Sequence, residues 1–358
     1  MKRNPRWDFV RVILMCMVIA LHSSRQSLNT HLILLEILLT VLFIANGGFF
    51  TLSGFFLLEK ELHSWPEYRK FFLKRIISIL VPFVLLNLTM DLLFNRSLYL
   101  AGFQAYMQTY FWNVLEYNSA GHLWFMYAYI PMAFCAPFYA KMLNHMSKKE
   151  LSIFAGLTII FIVVKELIIL AGHSFVFSGY IVTLGSWTVY FLMGYYLQRF
   201  HEEIRKWRYL IYIAGIGCFL YIVIKCSVFQ LIPGTLLEKP YYMFFIFSAL
   251  SFLTHSVPVE KLPRFSRFLS FIAKHSLTVY LTHIYIIPIV SGWMENLFTF
   301  FRFTPPLMIK EVIGFLFNAV LSIAFAILYD EIFLFRIQSL LKKLCRRWIE
   351  TGKAEIRD

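Results

Sequence analysis

Residues 8–22 read DFVRVILMCMVIALH, an apolar run with an arginine near its start and a histidine eleven positions later. On an α-helix, eleven steps of about 100° return Arg11 and His22 to one face, roughly 16 Å apart along the axis. Met15 and Val18 line the stripe between them. A guanidinium is a permanent cation whose planar fork suits oxyanions such as phosphate. A neutral imidazole can take a proton from a hydroxyl at physiological pH, or accept a transferred group itself. One helix stripe thus offers anion binding at one end and base or nucleophile chemistry at the other. The residues alone equally allow Arg11 to snorkel to headgroups and His22 to rest at an interface. Against that, ionisable groups within a membrane span are costly and mostly face a cavity or a partner.

The rest of the chain is built for lipid. Of its 358 residues, 59% are hydrophobic and 15% charged, whereas soluble domains carry about 25% charged residues. One core could not hide so much apolar surface, so the expected fold class is all-α, a polytopic integral membrane helix bundle. Apolar runs lie near 7–25, 31–58, 76–95, 122–140, 151–172, 178–198, 209–228, 240–256, 269–292 and 311–335. At about 20 residues per span these give about ten transmembrane helices. The second run is too long for an upright helix and holds NGG at 46–48 and SG at 53–54, which predicts a tilt or kink there.

The net charge of +14 is distributed as a topology signal. With the N-terminus inside, KELHSWPEYRKFFLKR, KMLNHMSKKE, RFHEEIRKWR, VEKLPRFSR and RIQSLLKKLCRRW all fall inside. By this positive-inside count roughly 26 of the Lys and Arg lie in or beside the cytoplasm, together with both termini. Membrane lipid is therefore the expected partner of the basic residues. A nucleic-acid partner is excluded, for no long basic stripe or soluble module remains to bind one. Residues 1–335 are expected to form the membrane domain and 336–358 a basic amphipathic tail on the inner leaflet. The aromatics of 96–121 suit an interfacial lid or short re-entrant element. No A-x-A-like cleavage site follows the first run, which predicts a retained helix, and no appended soluble domain is expected. Cys16, Cys135, Cys218, Cys226 and Cys345 have no ligand-like spacing, so neither a metal nor a disulfide framework is expected. There is no internal repeat of the kind many transporters show.

Four stretches resemble one family in order. They are the Asp-x-x-Arg-x10-His of 8–22, GGFFTLSGFFL at 47–57, GHLWFMYAYIPM at 121–132 and SLTVYLTHIYIIP at 276–288. Together they look like the acyltransferase-3 family of integral membrane acyltransferases, which is marked by Phe-Phe-x-x-Ser-Gly, His-x-Trp-Phe and Tyr-Leu-x-His elements after the first helix. The likeness spans nearly the whole chain. Two departures stand out. Val12 occupies a position that is glycine in many relatives, and the usual Arg-x-x-Arg of the third helix is Arg75-Ile76-Ile77-Ser78 here. Lys74 is the candidate for the missing charge.

The resemblance implies transfer of an acetyl group from acetyl-CoA, a co-substrate made in the cytoplasm, to a sugar hydroxyl of a cell-surface or exported glycan or its lipid-linked precursor. It implies a multi-pass protein of a bacterial plasma (inner) membrane. On this reading Arg11, Lys74 and Arg75 hold the CoA phosphates and His22 is the catalytic base. Glu36, early in the second span and near His22 in depth, is its candidate carboxylate partner or else the pair of some other group. His122 and Trp124 open the fourth span at the outer face, Trp124 as a belt anchor or a sugar-stacking platform. Tyr280 and His283, three apart, share a helical face and join them as candidate acceptor-binding residues. Ser53 and Gly54 suit close helix packing or backbone donation. Lys165 and Glu166 are adjacent and point apart, so they are not partners of each other. Two other functions stay open on sequence: a polysaccharide or small-molecule transporter of the same fold, and the same enzyme class with another donor such as succinyl-CoA.

Overall fold

The computed structural model describes residues 4–24, 33–94, 102–115, 121–172, 186–303 and 305–351. Among these are fifteen α-helices, short 3-10 and π turns, and no strand. The chain forms two compact units, each from two segments: 1–61 with 135–273, and 62–134 with 274–358.

The first unit begins with α1 (Pro5–Ser23), where the Asn4 side chain accepts from the Arg6 amide (3.0 Å) and Pro5 occupies the first turn. Such a cap satisfies an otherwise orphaned amide. α2 (Ile33–Leu42) and α3 (Ile44–Leu57) follow. The expected kink in this second run falls at Phe43, between α2 and α3. Asn46, Gly47 and Gly48 instead lie inside α3, because both glycines face close neighbours. A Cβ on Gly48 would stand 2.7 Å from Leu14 Cδ2, and one on Gly47 would stand 2.5 Å from the Tyr190 ring. The unit continues with the later part of α7 (Trp124–Asn144), α8 (Lys148–Leu170), α9 (Ser186–Arg199), α10 (His201–Phe229), α11 (Pro240–His255) and α12 (Pro263–Lys274). Its tightest crossing joins α3 to α9.

The second unit holds α4 (Trp65–Arg75), a π turn at Ile76–Leu80, α5 (Val81–Phe94), α6 (Phe103–Leu115) and the start of α7. It resumes with α13 (Ser276–Phe300), α14 (Leu307–Tyr329), a second π turn at Asp330–Leu334 and α15 (Phe335–Thr351). α6 supplies a helix to the 96–121 segment. It packs antiparallel to α5, with Tyr106 donating to Asp91 (2.8 Å) and Tyr110 to the Val84 carbonyl (2.9 Å). Residues 95–101 and 116–120 of that segment lie outside the described residues.

Among the described residues seven helical stretches are long and apolar enough to cross a membrane: Ile33–Leu57, Trp65–Phe94, Gly121–Asn144, Lys148–Leu170, His201–Phe229, Ser276–Phe300 and Ile309–Cys345. The other three expected spans fall short for visible reasons. α1 carries Arg6, Asp8 and Arg11; α9 shows 14 residues and α11 16. The expected start of the α9 span, 178–185, lies outside the described residues, as do 352–358 of the basic tail. The expected span at 269–292 is corrected. Residues 263–274 form a separate amphipathic helix, the chain breaks at His275, and α13 runs on to Phe300.

Candidate active site

In the first unit, α1 is one uninterrupted helix, so Arg11 and His22 do share a stripe. Met15 and Val18 between them are 1% and 6% exposed, which turns that face into the unit. The rotation of α1 is set by Leu14 against Gly48 and by Trp7 against Phe55, with ring centroids 4.0 Å apart. Arg11 is half-buried; Asp8, one turn earlier and 4% exposed, accepts from its Nη1 at 3.5 Å. Ser270 of α12 donates to the other Asp8 oxygen at 2.7 Å. The first part of the Asp-x-x-Arg pattern therefore helps to hold the guanidinium. His22 is half-buried in the last turn of α1, where neighbouring Leu21 packs on Leu35, Leu39 and Leu42 of α2. Glu36, on that same short helix, is buried at 3% exposure and accepts a hydrogen bond from the Ser227 hydroxyl of α10.

Ser53 donates to the Phe49 carbonyl of its own helix at 2.8 Å, a back-bond that engages its proton within α3. Gly54 lies against the Phe191 carbonyl of α9. Between the two readings of this element, close packing is the one the geometry displays. Glu166, adjacent to Lys165, pairs with Lys239 at 2.8 Å.

In the second unit the structure brings His122, Tyr280 and His283 together. Tyr280 donates to the His122 carbonyl, and His122 Nε2 lies 3.4 Å from the Leu281 carbonyl. The rings of His122 and His283 meet edge to face with centroids 5.5 Å apart, and Tyr285 stands 6.0 Å from His122. His283 is fully buried, with Nδ1 2.7 Å from the Tyr280 carbonyl. Trp124 is half-buried beside Phe125, whose ring meets Tyr280 at 5.4 Å. Lys74 is exposed at the end of α4, while Arg75 is half-buried with its guanidinium 4.8 Å over Phe71.

A second polar cluster of this unit was not anticipated. His275 Nδ1 lies 2.7 Å from Asp330, which also accepts from Thr278 at 2.6 Å; His275 and Asp330 are 0% and 1% exposed. Asp330 opens the second π turn, and the extra residue in such a turn rotates the side chains beyond it.

Apolar helices enclosing buried carboxylates, a guanidinium and imidazoles define a multi-pass integral membrane protein with a chemically equipped interior. A family model described as an acyltransferase domain, that of acyltransferase-3, matches residues 4–331. The chain belongs to that family, and is a membrane acyltransferase. No curated protein and no solved structure matches it.

Proposed function

We propose that the protein moves an acetyl group from cytoplasmic acetyl-CoA to a sugar hydroxyl of a cell-surface or exported glycan, or of its lipid-linked precursor, with His22 as general base. The observation that carries this reading is the inward face of α1, where a carboxylate-held guanidinium and an imidazole bracket the buried Met15 and Val18. In the proposed step the neutral imidazole takes the sugar hydroxyl's proton as the oxygen attacks the thioester carbonyl. The carbon–sulfur bond breaks, and the departing CoA sulfur recovers a proton from the imidazolium. Arg11 binds donor phosphate. The roles of Lys74 and Arg75 as further donor cations, and of His122, Trp124, Tyr280 and His283 in holding the acceptor, rest on sequence and family likeness. Glu36 is assigned to orienting His22. Ten spans with both termini cytoplasmic, in a bacterial plasma membrane, complete the proposal.

The test is transfer of labelled acetyl from acetyl-CoA to glycan in membranes carrying His22→Ala. General-base loss lowers the rate by roughly 10²–10⁴; unchanged transfer removes His22 from the mechanism. Mass spectrometry of the product reads the donor, since a gain heavier than one acetyl per site assigns a different acyl group.

A further inference from the structure

Helix α8 is tied to its unit near both ends. Toward its start Tyr196 donates to the Leu151 carbonyl (2.8 Å) and Lys148 pairs with Glu203 (2.5 Å). Toward its end Glu166 pairs with Lys239. Between the ties α8 stands off, and a cleft of ≈ 380 Å³ opens between α8, α9 and α11. Helical stripes line it, from Phe154 to Ile162 on α8, Val189 to Tyr196 on α9 and Pro240 to Phe247 on α11. The lining is apolar except for two hydroxyls, and both donate to backbone: Thr158 to the Phe154 carbonyl (2.9 Å) and Tyr196 to Leu151. A ligand here gains from dispersion contacts, with little to gain from hydrogen bonding.

The residues that follow the lining beyond one end of the cleft are charged. The α8 stripe Phe154–Thr158–Ile162 continues at helical spacing to Lys165 and Glu166, and Pro240 is preceded by Glu238 and Lys239. Lys225 donates to Tyr241 at 3.2 Å beside them. Three lysines against two carboxylates leave one net positive charge. Only 6% of the most apolar stretch of α8 is buried within the protein, so hydrocarbon is the medium around this helix.

We propose that the cleft binds one hydrocarbon chain of an anionic phospholipid drawn from the surrounding membrane, with the phosphodiester held by Lys165 and Lys239. A single net positive charge matches one phosphodiester better than a diphosphate-linked carrier. A tail seated there fills the space between α8 and its neighbours and braces that helix, because unfilled apolar space forfeits contacts on its walls.

Native mass spectrometry of the full chain in non-ionic detergent tests this, with phosphatidylglycerol and phosphatidylcholine of identical tails as probes. One phosphatidylglycerol is retained, at least five-fold over phosphatidylcholine. Thr158→Trp, which fills the cleft, cuts retention at least five-fold. Ala155→Leu fills less, keeps the thermal transition and gives an intermediate loss. Lys165→Gln with Lys239→Gln abolishes the headgroup preference while a tail still binds. Wild-type retention in a folded Ala155→Leu chain, or equal retention of the two lipids by the native protein, overturns the site. Displacement of phosphatidylglycerol by an equimolar polyprenyl diphosphate overturns the phospholipid assignment. Lipid retention is read without any acyl transfer, so it stands or falls apart from the proposed reaction.

Discussion

Gly54→Ala perturbs the crossing of α3 and α9 where two backbones meet. A Cβ built on Gly54 overlaps the Phe191 carbonyl oxygen and stands 2.7 Å from its carbon and 3.2 Å from Cα. Across the same crossing a Cβ on Gly194 would overlap the Thr51 carbonyl and the Phe55 nitrogen. Ordinary carbon–oxygen contacts lie at about 3.3–3.6 Å, so the helices must part by an ångström or more. No flexible side chain is there to yield, which puts the overpacking cost near the top of its usual range, about 3 kcal/mol. The better helix propensity of alanine returns about 1 kcal/mol. A net loss of about 2 kcal/mol remains, a large part of a marginal stability. Thermal unfolding of the purified protein in detergent should show a transition several degrees lower. Gly156→Ala and Gly217→Ala are internal controls, since nothing lies within 4 Å of an added Cβ at either, and both should be neutral or slightly stabilising. If Gly54→Ala melts with those two, the close crossing is not what the glycine is for.

Three further outcomes follow from individual contacts. Ser53→Ala should leave transfer within about twofold and stability within about 0.5 kcal/mol, because its hydroxyl is engaged in a back-bond to Phe49 in α3; a hundred-fold loss of rate would make it a reacting group. Asp8→Asn weakens the hold on Arg11 and should raise KM for acetyl-CoA several-fold with kcat nearly kept; steady-state kinetics showing an unchanged KM would separate Asp8 from donor binding. Asp330→Ala strips His275 and Thr278 of their shared acceptor and should cost about 3 kcal/mol or more, as removal of one partner of a buried pair does; an unmoved thermal transition refutes that.

The sequence made the helical class and the motif residues plain because both are local signals. Apolar runs and spacings such as Arg11 to His22 survive without knowledge of the fold. Helix ends were harder. The chain turns at His275, where the imidazole is captured by Asp330 some 55 residues later, and no local pattern encodes a partner that distant. One signal was there to be read: Asp330 sits in AFAILYDEIFLF, and a carboxylate inside an apolar run normally has a partner. Ser227 and Ser270, which donate to Glu36 and Asp8, carry no such mark, since a serine within a membrane helix is unremarkable in composition. The break lies at Phe43 and not at the glycines because Gly47 and Gly48 are where neighbouring side chains press against α3.

The two glycine contacts also connect packing to chemistry. Leu14 lies against Gly48, and Leu14 is one residue from Met15 on the chemical stripe. One residue is about 100° of rotation, so seating Leu14 on α3 determines where Arg11, Met15, Val18 and His22 point. A side chain at position 48 would displace Leu14 and turn the stripe, altering where Arg11 and His22 point without touching either. Residues such as Gly48 and Gly54 thus contribute no functional group, yet the orientation of α1 depends on α3, and that of α3 on α9.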